Sequence, residues 1–283
     1  MTYKKPTKAV ITDAGFASRF LPITKTIPKA MIPLGPKPIM QYVVEECVVA
    51  GISDVIIVAT PEGKPVYEDY FYNPVEKVYK QLAEHGKLDR FESVREVLEM
   101  ANVTVIEQDP GLPYGNGSPI ASARPYLNED EAFVALYSDD IVLGGDGAVG
   151  SLMRAFERCP DADAIIAVQE VEGAEIEKYA SVKFKPGSEE LEQLIEKPKV
   201  DVAPSQLASY GRYLLTPKVF EYLIPENIGK DDELWTADAI DRLARDGGKV
   251  LVAEAENGRW YTTGDPVNYF DAYNAFMKMK GEK

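Results

Sequence analysis

Short apolar runs alternate along this chain with longer segments in which apolar residues recur at helical spacing. The apolar runs fall at 8–13, 54–59, 103–107, 132–137, 164–169 and 249–254. One helical segment, Ile39–Ala50, follows Pro38 and stops at Gly51, residue types that begin and end helices. Runs that are apolar on both faces indicate strands buried between layers, and their alternation with helices indicates a parallel sheet.

The middle of the chain follows a different pattern. Helical spacing predicts further helices around 64–72, 74–84, 90–100, 148–158 and 235–246, and from about 118 and about 267. Runs near 181–185, 191–195 and 209–215 are strand-like, with no predicted helix between them. We therefore predict an α/β fold, in which a Rossmann-like, mixed and mostly parallel sheet is flanked by helices and carries a strand-rich insertion.

Composition supports one elaborated domain over residues 1–283. A chain of 283 residues with 45% hydrophobic composition buries roughly three quarters of its unfolded surface. Its two cysteines, Cys47 and Cys159, lie far apart and lack metal-ligand spacing. No basic-then-apolar leader and no run of about 18 apolar residues is seen. We expect a reduced, cytoplasmic protein with no membrane partner.

The charge is negative overall but not evenly distributed. A formal net charge of −15 argues against general binding to nucleic acid or to an anionic membrane, because both would be repelled. Residues 1–40, however, contain seven lysines and arginines and a single acid, Asp13. Such a basic island indicates a small anionic ligand, and the alternative is a solvated surface of lysines.

Two loops follow predicted strands and should meet at one edge of the sheet. One spans Ala14–Lys29, and the other is Ser138-Asp139-Asp140. In open parallel sheets, ligands bind beyond the carboxyl ends of the strands. Asp139 and Asp140 offer oxygen ligands to a hard divalent ion. The alternative for these two acids is a solvated strand end or a helix cap.

The first of these loops carries groups that suit phosphate. Gly15 permits a backbone turn with positive φ that brings N–H groups close to an anion. Arg19 offers a planar fork of donors, and Lys29 adds a mobile point charge. Each feature alone is weak, so the combination carries the prediction.

The order of the motifs resembles a known family. The segments are Ala14-Gly15-Phe16-Ala17-Ser18-Arg19-Phe20-Leu21-Pro22, Ile27-Pro28-Lys29-Ala30-Met31-Ile32-Pro33 and Lys37-Pro38-Ile39-Met40-Gln41-Tyr42. Together they are similar to the signature of the nucleoside-diphosphate-sugar pyrophosphorylases, nearest to the bacterial branch that joins UTP to glucose 1-phosphate. The likeness runs from Lys8 to about Phe276 and implies a glycosyltransferase-A-like nucleotidyltransferase fold.

The resemblance implies roles for individual positions. Ile195-Glu196-Lys197-Pro198 looks like the family's sugar site, and Gln108 with 114–118 looks like its base-reading segment. The implied catalytic groups are Arg19, Lys29, Asp139 and Lys197. The implied nucleotide-binding positions are Ala14, Gly15, Lys29, Gln108, Gly115 and Asp139. The implied sugar-binding positions are Glu196, Lys197, Asp140 and Ala180.

The resemblance also implies the reaction and the assembly. An oxygen of a sugar 1-phosphate attacks the α-phosphorus of a nucleoside triphosphate, with Mg²⁺ as cofactor. This chemistry needs alignment and cations more than a base, so the single histidine, His85, is not expected to be catalytic. Nucleotide binding is assigned to about 1–145, sugar binding to about 146–260 and a C-terminal helix to about 261–283. We expect a homodimer or homotetramer.

Several positions depart from the family's pattern, and they cluster at the predicted site. They are Asp13, Ala17, Ala30, Asn116, Ser118, Ala180 and Thr262. Thr262 stands where the family has a second metal-binding aspartate, and a hydroxyl is the weaker ligand. Asp139 is then the predicted metal ligand, with Asp13 and Asp265 as candidate compensating ligands.

Three functions are consistent with these residues. The first is an active uridylyltransferase that makes UDP-glucose. The second keeps the chemistry with another nucleotide or sugar 1-phosphate, as Asn116, Ser118 and Ala180 allow. The third is a catalytically impaired, sugar-nucleotide-binding regulatory paralogue. The retained cations Arg19 and Lys29 oppose the third, because a decayed site should have lost them.

Overall fold

The computed structural model of the protein describes residues 2–281. Thirteen strands and eight α-helices are found in this range. The strands are β1 Lys8–Asp13, β2 Pro33–Leu34, β3 Lys37–Pro38, β4 Asp54–Ala59, β5 Asn102–Glu107, β6 Phe133–Tyr137, β7 Asp140–Leu143, β8 Ala164–Glu170, β9 Ala180–Phe184, β10 Leu191–Glu196, β11 Leu207–Leu215, β12 Val250–Glu254 and β13 Arg259–Thr262. The helices are α1 Ile39–Val49, α2 Lys64–Tyr72, α3 Glu76–Glu84, α4 Glu92–Glu99, α5 Gly117–Ser122, α6 Gly147–Arg158, α7 Thr236–Arg245 and α8 Pro266–Gly281. Among these helices, none has the length and apolar character needed to cross a membrane.

Nine of the described strands form one mixed sheet. Its order is β10-β9-β11-β6-β1-β4-β5, and β8 pairs with both β11 and β12. Strands β6, β1, β4 and β5 are parallel neighbours, whereas β11 runs antiparallel to β6, β8 and β9. The antiparallel strands are those of the predicted strand-rich middle. The α/β fold with a mixed sheet flanked by helices is therefore confirmed.

The sheet is buried on both faces. Residues Ala9, Val10 and Ile11 of β1 are all fully buried, although neighbours along a strand point to opposite faces. Ile11 packs in the apolar layer with α1, α6 and α8, and Val10 packs in the layer with α5 and α7. Packing on both faces explains the apolar run from Ala9 to Ile11, and it leaves the strand ends as the place for polar groups.

Four short strands, β2, β3, β7 and β13, were not predicted from the sequence. Strands β7 and β13 pair antiparallel outside the main sheet, with Thr262 opposite Asp140. Each has only four residues, too few for a periodic signal. This pairing brings the segment after β13 to the end of β6, where Asp139 lies.

Candidate active site

A cleft of about 470 Å³ lies beyond the carboxyl ends of β1 and β6. The two predicted loops both line it, and so do the more distant segments that contain Gln108, Gly115 and Lys197. Every site residue predicted from the sequence lines this one cleft except Asp265. The structure therefore brings the residues predicted from the sequence together in one cleft, and the contacts of each side chain indicate what it can do there.

The loop Ala14–Lys29, called the phosphate loop below, has its strained backbone at Ala17 and not at Gly15, where the sequence predicted positive φ. Gly15 does not adopt positive φ; Ala17 does, with φ 48° and ψ 30°. The left-handed conformation costs a residue with a Cβ atom about 1–2 kcal/mol. The Ala17 carbonyl oxygen accepts hydrogen bonds from Thr24 Oγ1 at 2.8 Å and Phe20 N at 3.2 Å. These contacts hold the turn despite the methyl group.

Lys29 and Asp139 form the central ion pair of the cleft. Lys29 Nζ lies 2.5 Å from Asp139 Oδ2, and the two side chains are only 16% and 26% exposed. Burial alone would raise the pKa of Asp139, but the charge and hydrogen bond of Lys29, with a backbone hydrogen bond and the charge of Arg19, together lower it. Burial likewise opposes the charge of Lys29, yet Asp139 and Asp13 together raise its pKa. Both groups are therefore charged at neutral pH.

Arg19 is an exposed cation on the other side of Asp139. Its Nη1 donates to the carbonyl oxygen of Gly264 at 3.4 Å. Its charge helps to lower the pKa of Asp139 and Asp265. Because this long hydrogen bond is the one that the Arg19 side chain makes within residues 2–281, its planar donor fork remains available to an anion.

The segment after β13 packs directly against Asp139. Thr263 donates to the Asp139 carbonyl oxygen from its N–H at 2.6 Å and its hydroxyl at 2.8 Å. Asp139 Oδ2 and Thr262 Oγ1 flank Gly264, since a Cβ atom built there would lie 2.9 Å and 3.3 Å from them. Glycine at this position keeps the space between the two oxygens open.

Asp13 belongs to a hydrogen-bond network. Ser138 Oγ donates to Asp13 Oδ1 at 2.6 Å, and the Tyr67 hydroxyl donates to Oδ2. Burial raises the pKa of Asp13, against the opposing charge of Lys29. Both oxygens are thus engaged by the protein. These contacts favour a structural role beside Lys29 over the compensating metal-ligand role considered from the sequence.

Asp140 and Asp265 also differ from the sequence-based expectation. Asp140 accepts hydrogen bonds from Gly211 N at 2.9 Å and Trp260 Nε1 at 2.8 Å, which commits both oxygens to the protein and not to a sugar. Its pKa rises to about 6 because of burial and the charge of Asp139. Asp265 caps helix α8, accepting hydrogen bonds from the N–H groups of 267 and 268 at 3.0 Å each. Neither carboxylate is free to serve as predicted.

Sequence reasoning missed Arg212, which positions the backbone around Asp139. Arg212 is fully buried and donates to the carbonyl oxygens of Tyr137 at 3.0 Å and Asp140 at 2.6 Å. Its charge is balanced by Glu46 Oε2 at 2.8 Å from Nη2. Glu46 Oε1 in turn accepts from two N–H groups at the start of α6 at 2.8 and 3.0 Å. The residues on either side of Asp139 are therefore tied to two helices.

Glu196 and Lys197 form the far end of the cleft. Glu196 lies opposite Ala180 in the β9–β10 pair, so the two positions predicted to bind sugar are neighbours. Burial raises the pKa of Glu196 to about 7, against the nearby charge of Lys197. Lys197 adopts a left-handed φ of 45°, and its Nζ lies 4.0 Å from the centre of the Trp235 ring. The ammonium rests on an aromatic face and forms a long ion pair with Glu196 Oε1 at 3.8 Å.

The predicted base-reading segment is anchored to the start of α7. Gly115 has φ 139°, and a Cβ atom there would lie 2.3 Å from the carbonyl oxygen of Leu234. Asn116 Oδ1 accepts the N–H of Thr236 at 2.8 Å, and Ser118 Oγ donates to the carbonyl oxygen of 113 at 2.5 Å. Both departures from the family's pattern therefore hold the segment in place. Gln108 lines the cleft beside them.

The geometry agrees with the family match. The sequence pattern of the family described as Nucleotidyl transferase matches residues 8–279. The chain belongs to this family. A relative from Staphylococcus saprophyticus, named UTP–glucose-1-phosphate uridylyltransferase 2, is 40% identical over 94% of this nucleotidyl transferase and 90% of its own length. A UTP–glucose-1-phosphate uridylyltransferase from Staphylococcus epidermidis is 38% identical over the same shares of the two chains.

Solved structures agree with the sequence comparisons. This nucleotidyl transferase is similar to a UDP-glucose pyrophosphorylase in complex with UDP-glucose, with a TM-score of 0.81 and 31% identity over 97% of this chain and 99% of that one. It is also similar to a UTP-bound UGPase from Acinetobacter baumannii, with a TM-score of 0.81 and 29% identity over 96% and 93% of the two chains. The family expected from the motifs is confirmed.

Proposed function

We propose that this nucleotidyl transferase moves the uridylyl group of UTP to glucose 1-phosphate, forming UDP-glucose and pyrophosphate. The observation that carries this proposal is that one cleft presents Lys29 beside the phosphate loop and Lys197 beside Glu196 at its far end. Two cation sites in one cleft suit two anionic substrates. The choice of UTP and glucose rests on the names of the relatives and of the bound structures.

The proposed reaction is a direct displacement at the α-phosphorus of UTP. An oxygen of the glucose 1-phosphate forms the new bond to phosphorus, and the bond to the oxygen that leaves with pyrophosphate breaks. The nucleophile is already an anion, so no general base is needed. His85 lies outside the cleft, where its Nδ1 contacts the Gln81 carbonyl oxygen at 2.7 Å.

The residues of the cleft supply alignment and charge. Lys197 can leave the Trp235 ring to pair with the sugar phosphate, and Glu196 can accept hydrogen bonds from sugar hydroxyls. Arg19 and Lys29 can neutralise the triphosphate and the leaving pyrophosphate. Holding two mutually repelling anions in line is the main requirement of such a transfer.

The donors near Asp139 fit a magnesium ion that arrives with the nucleotide. Within residues 2–281, no group of three histidine, cysteine or acidic side chains is arranged to hold a metal. Asp139 Oδ2 and Thr262 Oγ1 nevertheless flank the open space at Gly264. Mg²⁺ is commonly bound through one or two carboxylates together with substrate phosphates and water. Asp139 and Thr262 would hold it, and it would supply positive charge at the phosphates.

A binding-only paralogue is the second candidate. Ala17 is strained in the phosphate loop, and Thr262 replaces an expected carboxylate. Ala30, where the family has glutamate, is fully buried. These features predict weakened catalysis, whereas the retained Arg19 and Lys29 favour turnover.

A substrate panel tests the proposal. The protein is incubated with Mg²⁺, each nucleoside triphosphate and several sugar 1-phosphates, and pyrophosphate release is measured. We expect release with UTP and glucose 1-phosphate, and loss of it in Lys29→Met. The matched control is Lys25→Met, which removes an exposed charge from the same loop. Release with a different pair would replace the substrate assignment, and binding without release would support the paralogue.

Two further proposals concern where the protein acts in the cell and how many copies assemble. We infer that the protein acts in the cytoplasm as a homodimer or homotetramer. Helix α8 supports assembly, because Val267 and Phe270 are 72% and 60% exposed on it. Light scattering of the purified protein tests the assembly, and a monomeric mass at micromolar concentration would contradict it.

A further inference from the structure

Three neighbouring strands place one residue each side by side along the cleft. Glu196 of β10 lies opposite Ala180 of β9, and Ala180 lies opposite Ser209 of β11. Residues directly opposite each other on adjacent strands project to the same face of a sheet. All three residues line the cleft. The Glu196 carboxylate, the Ala180 methyl group and the Ser209 hydroxyl therefore form one row.

The hydroxyl at the end of this row is buried without a hydrogen-bond partner. Ser209 is only 4% exposed, and its Oγ makes no hydrogen bond in the part of the chain that the structure describes. The Tyr137 hydroxyl at the end of β6 is also buried and unpartnered. Tyr213 lies beside Tyr137, and the centres of the two rings are 5.6 Å apart.

Glu196 and Tyr137 share this part of the cleft. Burial raises the pKa of Tyr137, and the charge of Glu196 adds to the rise. The Tyr137 ring packs on the backbone of Gly211, since a Cβ atom there would lie 2.3 Å from ring atoms. The phenol is therefore fixed in place, and a fixed donor loses less conformational entropy when a ligand binds.

Buried hydroxyls without partners are uncommon, because an unmet hydrogen bond costs free energy. Ser209 and Tyr137 both line the cleft, and neither hydroxyl makes a hydrogen bond of ordinary geometry within residues 2–281. A sugar hydroxyl can accept a hydrogen bond from one group and donate to another. A ligand rich in hydroxyls would satisfy all three side chains at once.

We propose that the hydroxyl groups of Ser209 and Tyr137, together with Glu196, determine which sugar 1-phosphate is accepted. This inference rests on the proposed function, in that the acceptor is taken to be a sugar 1-phosphate. A hexose that presents its hydroxyls to these groups is accepted. A sugar that lacks one of them leaves a buried polar group unpaired and is rejected.

A set of glucose 1-phosphates, each lacking one ring hydroxyl, tests the inference by turnover. In the wild type, at least one analogue should lose about 10- to 100-fold in kcat/KM relative to glucose 1-phosphate. Ser209→Ala or Tyr137→Phe should lower kcat/KM for glucose 1-phosphate and leave kcat/KM for that analogue unchanged. The ratio of the two kcat/KM values should then fall to about twofold. Ser209→Thr keeps a hydroxyl at this position and should therefore keep the wild-type ratio.

Tyr210→Phe is the matched control. Tyr210 also has a buried, unpartnered phenol and lines the cleft, but it follows Ser209 directly along β11 and so projects to the opposite face, where its ring stacks on Trp260 with centroids 4.8 Å apart. Its removal should leave the ratio at the wild-type value. Ratios unchanged in both Ser209→Ala and Tyr137→Phe would overturn the inference.

A binding measurement separates this inference from the proposed function. Calorimetry with UDP-glucose and with UDP gives the factor by which the glucose moiety tightens binding, and it requires no turnover. Ser209→Ala and Tyr137→Phe should each reduce that factor about tenfold. If UTP and glucose 1-phosphate give no product, the proposed function fails. Separately, if the glucose moiety tightens binding in both variants as much as in the wild type, the inference fails.

Discussion

Lys29 Nζ and Asp139 Oδ2 lie 2.5 Å apart, although the two residues are 110 positions apart in the chain. The contact joins a cation proposed to meet the phosphates of the nucleotide to the carboxylate proposed to hold the metal. Each charge stabilises the other in the substrate-free protein. Bound nucleotide must compete for Lys29, which frees Asp139 for an ion that arrives with the phosphates.

Asp139→Asn separates binding from catalysis. The substitution releases Lys29 and removes a negative charge from the cleft, so UTP should bind at least as tightly in the absence of Mg²⁺. Turnover with Mg²⁺ should fall about 100-fold or more, because a charge-stabilising group is lost. Calorimetry in the presence of a chelator measures the binding of UTP, and initial rates with Mg²⁺ measure turnover. Wild-type turnover in Asp139→Asn would contradict the assignment, and Asp161→Asn, on the surface, is the control.

Ala17→Gly should increase the free energy of unfolding of the protein. Glycine adopts the left-handed conformation of residue 17 without the steric cost of a Cβ atom. We expect a gain of up to about 1 kcal/mol in the free energy of unfolding, after the greater entropy of glycine in the unfolded chain is subtracted. Urea denaturation measures it.

Ala14→Gly is the matched control for the strained turn. Ala14 has no positive φ, so glycine there should lower the free energy of unfolding. UTP affinity should rise in Ala17→Gly if the methyl group hinders approach of the phosphates. Equal stability changes in the two variants would show that the conformation of Ala17 carries no strain.

Thr262→Asp tests the metal proposal. Thr262 lines the cleft close to Asp139, so a second carboxylate should lower the Mg²⁺ concentration that gives half-maximal rate by about tenfold. Without Mg²⁺, repulsion from Asp139 should lower the thermal midpoint. Titration of the rate with Mg²⁺ measures the first effect, and Thr262→Ser should behave as the wild type. An unchanged Mg²⁺ requirement would place the ion elsewhere.

The pKa of Glu196 predicts a pH dependence. A pKa of about 7 means that the carboxylate form, which accepts hydrogen bonds from sugar hydroxyls, gains population as the pH rises from about 6 to about 8. The kcat/KM for glucose 1-phosphate should rise over that range. The substrate phosphate also ionises near pH 6, so Glu196→Gln is the reference. A pH profile of the same shape in Glu196→Gln would remove Glu196 from this role.

The same pKa predicts an effect on stability of the opposite sign. Because the folded-state pKa lies above the ordinary value of 4.5, the folded protein binds this proton more tightly than the unfolded chain does. The contribution of Glu196 to stability is therefore lost as the pH rises from about 4.5 through about 7. Glu196→Gln should raise the thermal midpoint at pH 8 more than at pH 5.

Periodicity predicted the main elements, and the rule for parallel strand ends predicted that Lys29 and Asp139 would share a site. The order of apolar runs was sufficient because β1, β4 and β6 are buried on both faces. Strands β7 and β13 escaped prediction because their pairing depends on tertiary contacts. So did the left-handed turn at Ala17, which local sequence would have placed at Gly15.

The roles of single polar residues were the least predictable part. Asp13, Asp140 and Asp265 looked like ligands in sequence, yet each is engaged by protein donors that come from distant segments or a following helix. Ser209 gave no signal at all. Its place in the cleft depends on strand register and on an irregularity between Ser209 and Tyr213, which a single sequence does not reveal.

The most direct test of the proposed uridylyl transfer is the yield of UDP-glucose from UTP and glucose 1-phosphate, measured by chromatography alongside pyrophosphate. The account predicts the two products in equal amounts. It also predicts a fall of about 100-fold in kcat/KM for glucose 1-phosphate in Lys197→Met, with no change in Lys183→Met, whose charge lies on the exposed strand surface. No UDP-glucose from the wild type, or full activity in Lys197→Met, would contradict it.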